Sequence, residues 1–363
     1  MPGTVTERST TDEHTPGSVI GPVIGSATRP APARPPRRSV VALALAAMLL
    51  AGCDGPASAL DPAGRGAADI AVLFTIMAVG AAVVWAVVVA IALYAGLLNP
   101  RPHSRRSARW LILGGGVIVP TVTLAALLLY GLVLMPQLRE PPPAGGLRID
   151  VSGEQWWWRV AYHLPGHDAP VTLANEIRLP VGERTEFRLS SPDVIHSFWI
   201  PALGGKLDNI PGRTTTLVLE PTRTGTYRGI CAEYCGSSHA RMEFHAVVME
   251  RPAFDRWLAA QAAPARPPAT TLEQRGAEAF LTHGCAACHA IRGTPAAGVV
   301  GPDLTHVGSR LGLAAGTLPN DPDAFRAWVA HPDAFKPDVP MPAFAMLPDD
   351  DLDAIAAYLE SLQ

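Results

Sequence analysis

The chain has 363 residues and a formal net charge of −3, so its length allows two or three domains and its charge gives no reason to expect nucleic acid as a partner. Its five cysteines, Cys53, Cys231, Cys235, Cys285 and Cys288, each fall inside a short pattern of their own, which excludes a disulfide framework and points to ligands and covalent attachment. Charge is unevenly placed: residues 271–363 carry 12 acidic and 5 basic side chains, net −7, against 12 and 10 in residues 146–250, so the last domain offers an acidic face to a basic partner or simply to solvent.

Residues 1–36 are rich in Pro, Ser, Thr and Arg without apolar periodicity, the composition of a disordered extension or of a start codon placed too early. Residues 37–53 have the parts of a secretory signal: Arg37 and Arg38, an eleven-residue apolar run from Val40 to Leu50, then Ala51, Gly52 and Cys53. LAGC resembles the bacterial lipoprotein cleavage box, in which the cysteine is lipidated; the plainer alternative is that Cys53 merely ends an apolar segment.

No residue is charged from Ile70 to Leu98 or from Trp110 to Gln137, and each run exceeds the roughly 20 residues that cross a bilayer. A two-helix transmembrane hairpin over 68–136 follows. The loop between the runs holds Arg101, Arg105, Arg106 and Arg109 and no acid, so it should be cytoplasmic, with everything after Glu140 outside.

Pro141 to Pro143 with Gly145 and Gly146 give a stiff, then flexible exit from the membrane. Over 146–251 the segments Leu147 to Val151, Glu176 to Leu179, Glu186 to Leu189, Thr216 to Leu219 and Phe244 to Met249 read as short strands, the pattern of a small β-sandwich or barrel. Residues 252–270 form a helix with a Phe254, Trp257, Leu258 stripe and then the linker AAPARPPA. Over 271–363 the pattern is a small all-α domain: Leu272, Gly276 and Phe280 share one face, Phe325 and Trp328 another, and Leu352, Ile355 and Leu359 mark a last helix opened by Asp349 to Asp351.

Two clusters carry the chemistry. Cys231, Cys235, His239 and Met242 follow one another at spacings of four, four and three. Thiolate, imidazole and thioether together suit copper better than zinc, which rarely takes methionine. A single-copper loop needs one cysteine; the second sulfur argues for two bridged copper ions sharing an electron. The missing imidazole is His196 in DVIHSFWIP, 35 residues before Cys231. With His196 and His239 as nitrogens and Met242 and the backbone carbonyl of Glu233 as weak ligands, neither copper keeps a vacant position, so the site should carry electrons.

In the second cluster, Cys285, Cys288 and His289 form C-x-x-C-H, the attachment pattern of a c-type haem, with His289 on the iron. A redox dithiol is the rival, but that usually follows a strand, and here a helical stretch precedes it. A thioether should complete the iron, and VPMPAFAML offers Met341 and Met346.

From Ile70 to Glu250 the order of two membrane helices, GEQWWW, VIHSFWIP, KLDNIPGR and CAEYCGSSHARM resembles subunit II of the haem-copper cytochrome c oxidases, with a dinuclear CuA centre in a cupredoxin domain. The resemblance implies that Glu233 offers its carbonyl to copper and its carboxylate to a magnesium ion at the boundary with subunit I. Asp208 falls in that neighbourhood, where a turn residue before Ile210 is the alternative. Trp156, Trp157 and Trp158 cannot all be core, since alternate strand residues face opposite ways. The first position, Trp156, is where electrons enter in the family; an ordinary packed aromatic is the alternative. His245 matches no family ligand. The last domain resembles small class I cytochromes c, where a Met-Pro pair selects Met341 over Met346, which then reads as core, and the Pro302 carbonyl of GPDL orients His289. Tyr358 would pack in the core, with packing on the haem as the alternative. One departure stands out: between Asp69 and Glu140 there is no acid, although family members commonly carry a glutamate there for proton uptake, so another subunit or His103 would have to serve.

The expected protein is a multidomain membrane protein: two transmembrane α-helices, an all-β cupredoxin-like domain and a small all-α cytochrome c domain. The resemblance implies subunit II of a bacterial cytochrome c oxidase in the cell membrane, with its soluble domains on the outer side. Electrons would come from a cytochrome c or a cytochrome bc complex, pass one covalent haem c and two coppers, and reach a haem-copper subunit I that reduces dioxygen and pumps protons, alongside other oxidase subunits. The rivals are a copper-delivery protein, which needs neither Met242 nor a haem; a quinol oxidase subunit II, which lacks the copper ligands; and a nitrous oxide reductase, which two membrane helices and a fused haem disfavour.

Overall fold

The computed structural model describes residues 55–102, 104–164 and 169–363. The expected extension over 1–36, the signal over 37–53 with Cys53, and His103 lie outside these residues.

Two helices, α1 (Arg65–Leu98) and α2 (Arg105–Leu138), are each 34 residues and are long and apolar enough to cross a membrane. At 1.5 Å per residue each reaches roughly 50 Å, beyond the roughly 30 Å hydrocarbon core. Val83, Val84, Trp85, Val87 and Val88 are all exposed, so α1 is apolar on every side. Such a surface is stable in lipid and not in water.

The outer ends of both helices are tied to the next domain. Ala63 donates its backbone N–H to Ala202 and Arg65 to Glu220, at 2.7 and 2.9 Å. The Glu220 carboxylate pairs with Arg65 at 2.7 Å and Arg184 at 2.9 Å, and Arg184 also meets Glu140 at 2.6 Å just past α2.

That domain is a sandwich of two five-stranded sheets, ordered β3-β2-β1-β5-β8 and β4-β10-β9-β6-β7. The strands are β1 (Arg148–Glu154), β2 (Trp157–His163), β3 (Val171–Ala174), β4 (Glu176–Pro180), β5 (Thr185–Ser190), β6 (His196–Trp199), β7 (Leu207–Asn209), β8 (Thr215–Leu219), β9 (Gly225–Cys231) and β10 (Glu243–Met249). Neighbours pair antiparallel except β1 with β5 and β4 with β10. Burial alternates strictly along β1, β2 and β10, so one side of each faces the core. Five strands coincide with the segments expected from the sequence, whereas β2, β3, β6, β7 and β9 were not anticipated. Three of these, β3, β6 and β7, are only four, four and three residues long, too short for alternation to register. β9 contains Gly229, where a Cβ would come within 2.0 Å of the Phe244 ring, so close packing, not propensity, sets its composition.

Trp158, Phe198 and Phe244 form the centre of the core, with ring centroids 4.9 to 5.6 Å apart. Helix α3 (Arg251–Ala262) closes one end with buried Phe254 and Leu258, and Trp257 packs edge-on to Tyr162 at 5.5 Å.

The last domain consists of α4 (Thr271–Thr282), α5 (Pro322–Ala330), the short α6 (Pro332–Phe335) and α7 (Asp349–Ser361). Thr270 and Asp321 cap α4 and α5 by accepting from the N–H groups of Glu273 and Ala324. Phe280 meets Tyr358 at 6.1 Å where α4 crosses α7, and Tyr358 is buried. Two expectations fail here. Leu272 is exposed, because the buried face of α4 is Gly276, Ala279 and Phe280 and the first turn lies before the crossing. Met346 is 76% exposed instead of core, since the chain between Phe344 and α7 runs over the surface. Part of the acidic face is also paired internally: Arg275 binds Asp351 at 3.0 Å, and Arg326 binds Asp349 and Asp353.

Candidate metal centres

The loop from Cys231, at the end of β9, to Met242, just before β10, folds back on itself and brings its soft donors together. The Cys231 and Cys235 sulfurs lie 3.8 Å apart, far beyond the roughly 2 Å of a disulfide, and both cysteines are free. His196, the first residue of β6, presents Nδ1 to Cys231 Sγ at 3.9 Å; His239 presents Nδ1 to Cys235 Sγ at 3.5 Å. Met242 Sδ stands 3.9 Å from Cys235 Sγ, and the Glu233 carbonyl accepts from Cys231 Sγ at 3.2 Å. All six residues expected from the sequence therefore meet around one pair of sulfurs, with one imidazole at each end.

His196 and Met242 are completely buried and the two cysteines nearly so, while His239 is half-buried. Asp193 fixes His196 by accepting from Nε2 at 2.9 Å, which turns Nδ1 toward the sulfur. Burial works against a charged His196, yet its bonds to Cys231 and Asp193 raise it above its ordinary value. The thiols share a proton: the bond with Cys235 draws Cys231 well below the usual thiol range, and the same bond, with burial, pushes Cys235 up. Two sulfurs, two inward-turned imidazoles, a thioether and a carbonyl make a donor set that fits a pair of copper ions, and the soft sulfurs disfavour magnesium or calcium.

Among the described residues, the group of three or more His, Cys, Asp and Glu side chains able to converge on an ion is His196, Cys231 and Cys235. Neither Glu233 nor Asp208 belongs to such a group. Glu233 has an exposed side chain, and Asp208 lies in β7 opposite Ser197. His245 is in β10 opposite Arg228, away from the sulfurs.

The second cluster surrounds a hollow. Cys285, Cys288, His289 and Met341 line a cavity of about 410 Å³, within the range of sites that take small molecules and cofactors. Apolar walls from Phe280, Phe325, Phe344 and Ile355, with the Arg310 cation among them, suit a flat macrocycle that carries carboxylates. The His289 Nδ1–H donates to the Pro302 carbonyl at 2.8 Å, so its Nε2 keeps a free lone pair. Burial holds His289 below its ordinary value, which favours this neutral ligand form. Gly301 permits the arrangement, because a Cβ there would come within 2.6 Å of the His289 ring. Met341 lines the cavity, and Met346 does not.

Trp156 belongs to both sites. Its indole Nε1 donates to the Cys235 carbonyl at 3.0 Å, and its side chain lines the cavity of Met341 and His289. It precedes β2 and is buried, whereas Trp157 is half-buried beneath Arg159 and Trp158 is core. Sequence reasoning missed Asp193, Gln155 and Lys336. Gln155 donates Nε2 to the Cys235 carbonyl at 2.7 Å. Asp193, three residues before His196, was open to being read as its partner; nothing around Lys336 marks it.

Fold and clusters define a membrane-anchored protein that joins a cupredoxin-like domain to a cytochrome c-like one. The family model for the periplasmic domain of cytochrome c oxidase subunit II matches residues 165–250, and that for cytochrome c matches residues 273–363. The cytochrome c oxidase subunit 2 of Alkalihalophilus pseudofirmus is 39% identical over 62% of this chain and 65% of its own length, so the match spans just under two thirds of that relative. The Bacillus subtilis cytochrome c oxidase subunit 2 is 29% identical over 90% of this chain and 98% of its own. The crystal structure of the periplasmic domain of subunit II of the Bradyrhizobium japonicum cytochrome oxidase is 31% identical, covers 33% of this chain and 95% of its own, and has a TM-score of 0.30. The chain therefore carries a domain similar to the periplasmic domain of cytochrome c oxidase subunit II, followed by a cytochrome c domain.

Proposed function

We propose that this chain is the electron-accepting subunit of a bacterial cytochrome c oxidase, receiving electrons at a covalent haem and delivering them through two coppers to a haem-copper subunit I that reduces dioxygen and pumps protons. The observation that carries it is the buried sulfur pair of Cys231 and Cys235, each met by an imidazole, with Trp156 shared between that pair and the haem cavity. When bound, the coppers supply one shared electron acceptor and the haem iron another.

The residues do the rest. Cys231 and Cys235 would hold both coppers, with His196, His239, Met242 and the Glu233 carbonyl completing them. Asp193 orients His196, and the burial of His196, Cys231, Cys235 and Met242 limits access of water and substrate. Cys285 and Cys288 would hold the haem covalently and His289 and Met341 would hold its iron, with the Pro302 carbonyl fixing the His289 ring. Trp156 would sit on the route between the two centres. The Glu233 carboxylate would face subunit I, where a magnesium ion is its expected partner.

The two apolar helices support a two-pass membrane placement with both soluble domains outside, and Cys53 is the proposed lipid anchor. Purification of the complex from membranes through a tag on this chain tests the reading. Oxygen uptake driven by reduced cytochrome c is expected; a chain that purifies without a haem-copper partner and without oxygen uptake contradicts it.

A further inference from the structure

Four consecutive residues, Phe335 to Asp338, each touch the copper loop or its neighbour. The Arg241 guanidinium donates to the Phe335 carbonyl, and the Lys336 ammonium donates to the Trp156 carbonyl. Ser238 Oγ donates to the Pro337 carbonyl at 2.7 Å, and Ser237 Oγ donates to the Asp338 carboxylate. Their partners Ser237, Ser238 and Arg241 alternate with the proposed ligands His239 and Met242. Met341 follows Asp338 by three residues; Pro340 stiffens the stretch between, and Pro337 and Pro342 flank it.

Lys336 is 2% exposed, and its two acceptors are carbonyls, those of Trp156 and, at 3.4 Å, Ala314. An ammonium withdrawn from water without a carboxylate is expensive, and burial pushes it down to about 7. Lys336 thus sits where the helical domain meets the Trp156 backbone of the sandwich domain.

We propose that Phe335 to Asp338 form a latch that locks the helical domain onto the loop of Cys235, His239 and Met242, fixing the haem cavity against the sulfur pair with Trp156 between them. This rests on the function proposed above and adds the residues that hold its two centres in register. The latch acts by docking, so its residues are positioning residues: one electron released by the haem iron and taken up by the copper pair would cross a fixed gap.

The chain has two lysines, Lys206, which is exposed, and Lys336. Brief treatment of the purified full-length protein with a water-soluble acylating reagent should therefore label Lys206 and leave Lys336 at least tenfold slower. The double variant Ser238→Ala, Arg241→Ala should label Lys336 as fast as Lys206. It should also slow haem-to-copper electron transfer, followed after photoreduction of the haem, by at least tenfold while both absorption spectra stay unchanged. Lys336→Met retains the apolar stem, removes the ammonium, and should slow the same transfer if the double variant does not accumulate. Equal labelling of the two lysines in the unaltered protein overturns the latch, as does a wild-type transfer rate in either variant. Lack of a copper spectrum in the unaltered protein would instead defeat the functional reading, and the labelling result would still decide the docking.

Discussion

The sulfur site and the haem site belong to one electron route but are built in opposite ways. Around Cys231 and Cys235 the chain has collapsed: donor touches donor at 3.2 to 3.9 Å, and a core of Trp158, Phe198 and Phe244 backs onto His196, whose ring lies 6.1 Å from Trp158. Around His289 the chain instead lines a hollow of about 410 Å³ with apolar side chains. A collapsed site is held by the fold and waits for ions; a hollow site needs its occupant as part of the core. The sandwich should thus fold without copper, and the helical domain should depend on its haem.

The largest effect should come from the hollow. A haem bound there would give the apolar walls of Phe280, Phe325, Phe344 and Ile355 a surface to pack on, so its loss should cost the helical domain much of its core. Cys285→Ala with Cys288→Ala should abolish haem staining on a denaturing gel and expose residues 262–270 and beyond to protease, while the sandwich stays resistant. A protease-resistant helical domain in that variant would break the contrast.

Next in size, Cys235→Ser should remove the delocalised dicopper spectrum and leave the β-sheet circular dichroism intact; an unchanged spectrum would mean that the second sulfur does not bridge. Met341→Leu should lower the haem potential, and Met346→Leu, at an exposed position, should leave it alone. The opposite pattern would move the axial role to Met346. Gly301→Ala should destabilise the helical domain by about 1–3 kcal/mol, the usual range for overpacking, and shift the haem spectrum as the His289 ring is displaced from Pro302. The smallest effect lies at the joint of α4 and α7. Asp351 is held below its ordinary value by His283 first and then Arg275. A depressed carboxyl contributes stability above the ordinary carboxylate range and loses it as pH falls through the lowered value. Asp351→Asn should therefore lower the melting temperature slightly at neutral pH, and the difference from the unaltered protein should vanish as pH falls below the carboxylate range, which flattens the acid limb.

Legibility in the sequence followed the same contrast. Ligands packed into short runs were readable because soft donors at fixed spacing have few other uses: Cys231 to Met242, and Cys285 to His289. His196 was reachable across 35 residues through its own segment, and the structure brings it to Cys231. What the sequence hid was tertiary. β6 and β7 are too short to show a period, and β9 is written by a ring contact at Gly229. Trp156 was separable from its two neighbours only by facing, and its place on both sites depends on how the domains close. Lys336 reads as any surface lysine until Trp156 is seen beneath it.

Metal analysis of the purified full-length protein, joined to its electron spin resonance spectrum, tests the account most directly. Two coppers for each covalent haem, with the many-line signal of one electron spread over both, are predicted. A single copper, or zinc, at Cys231 and Cys235 would contradict it.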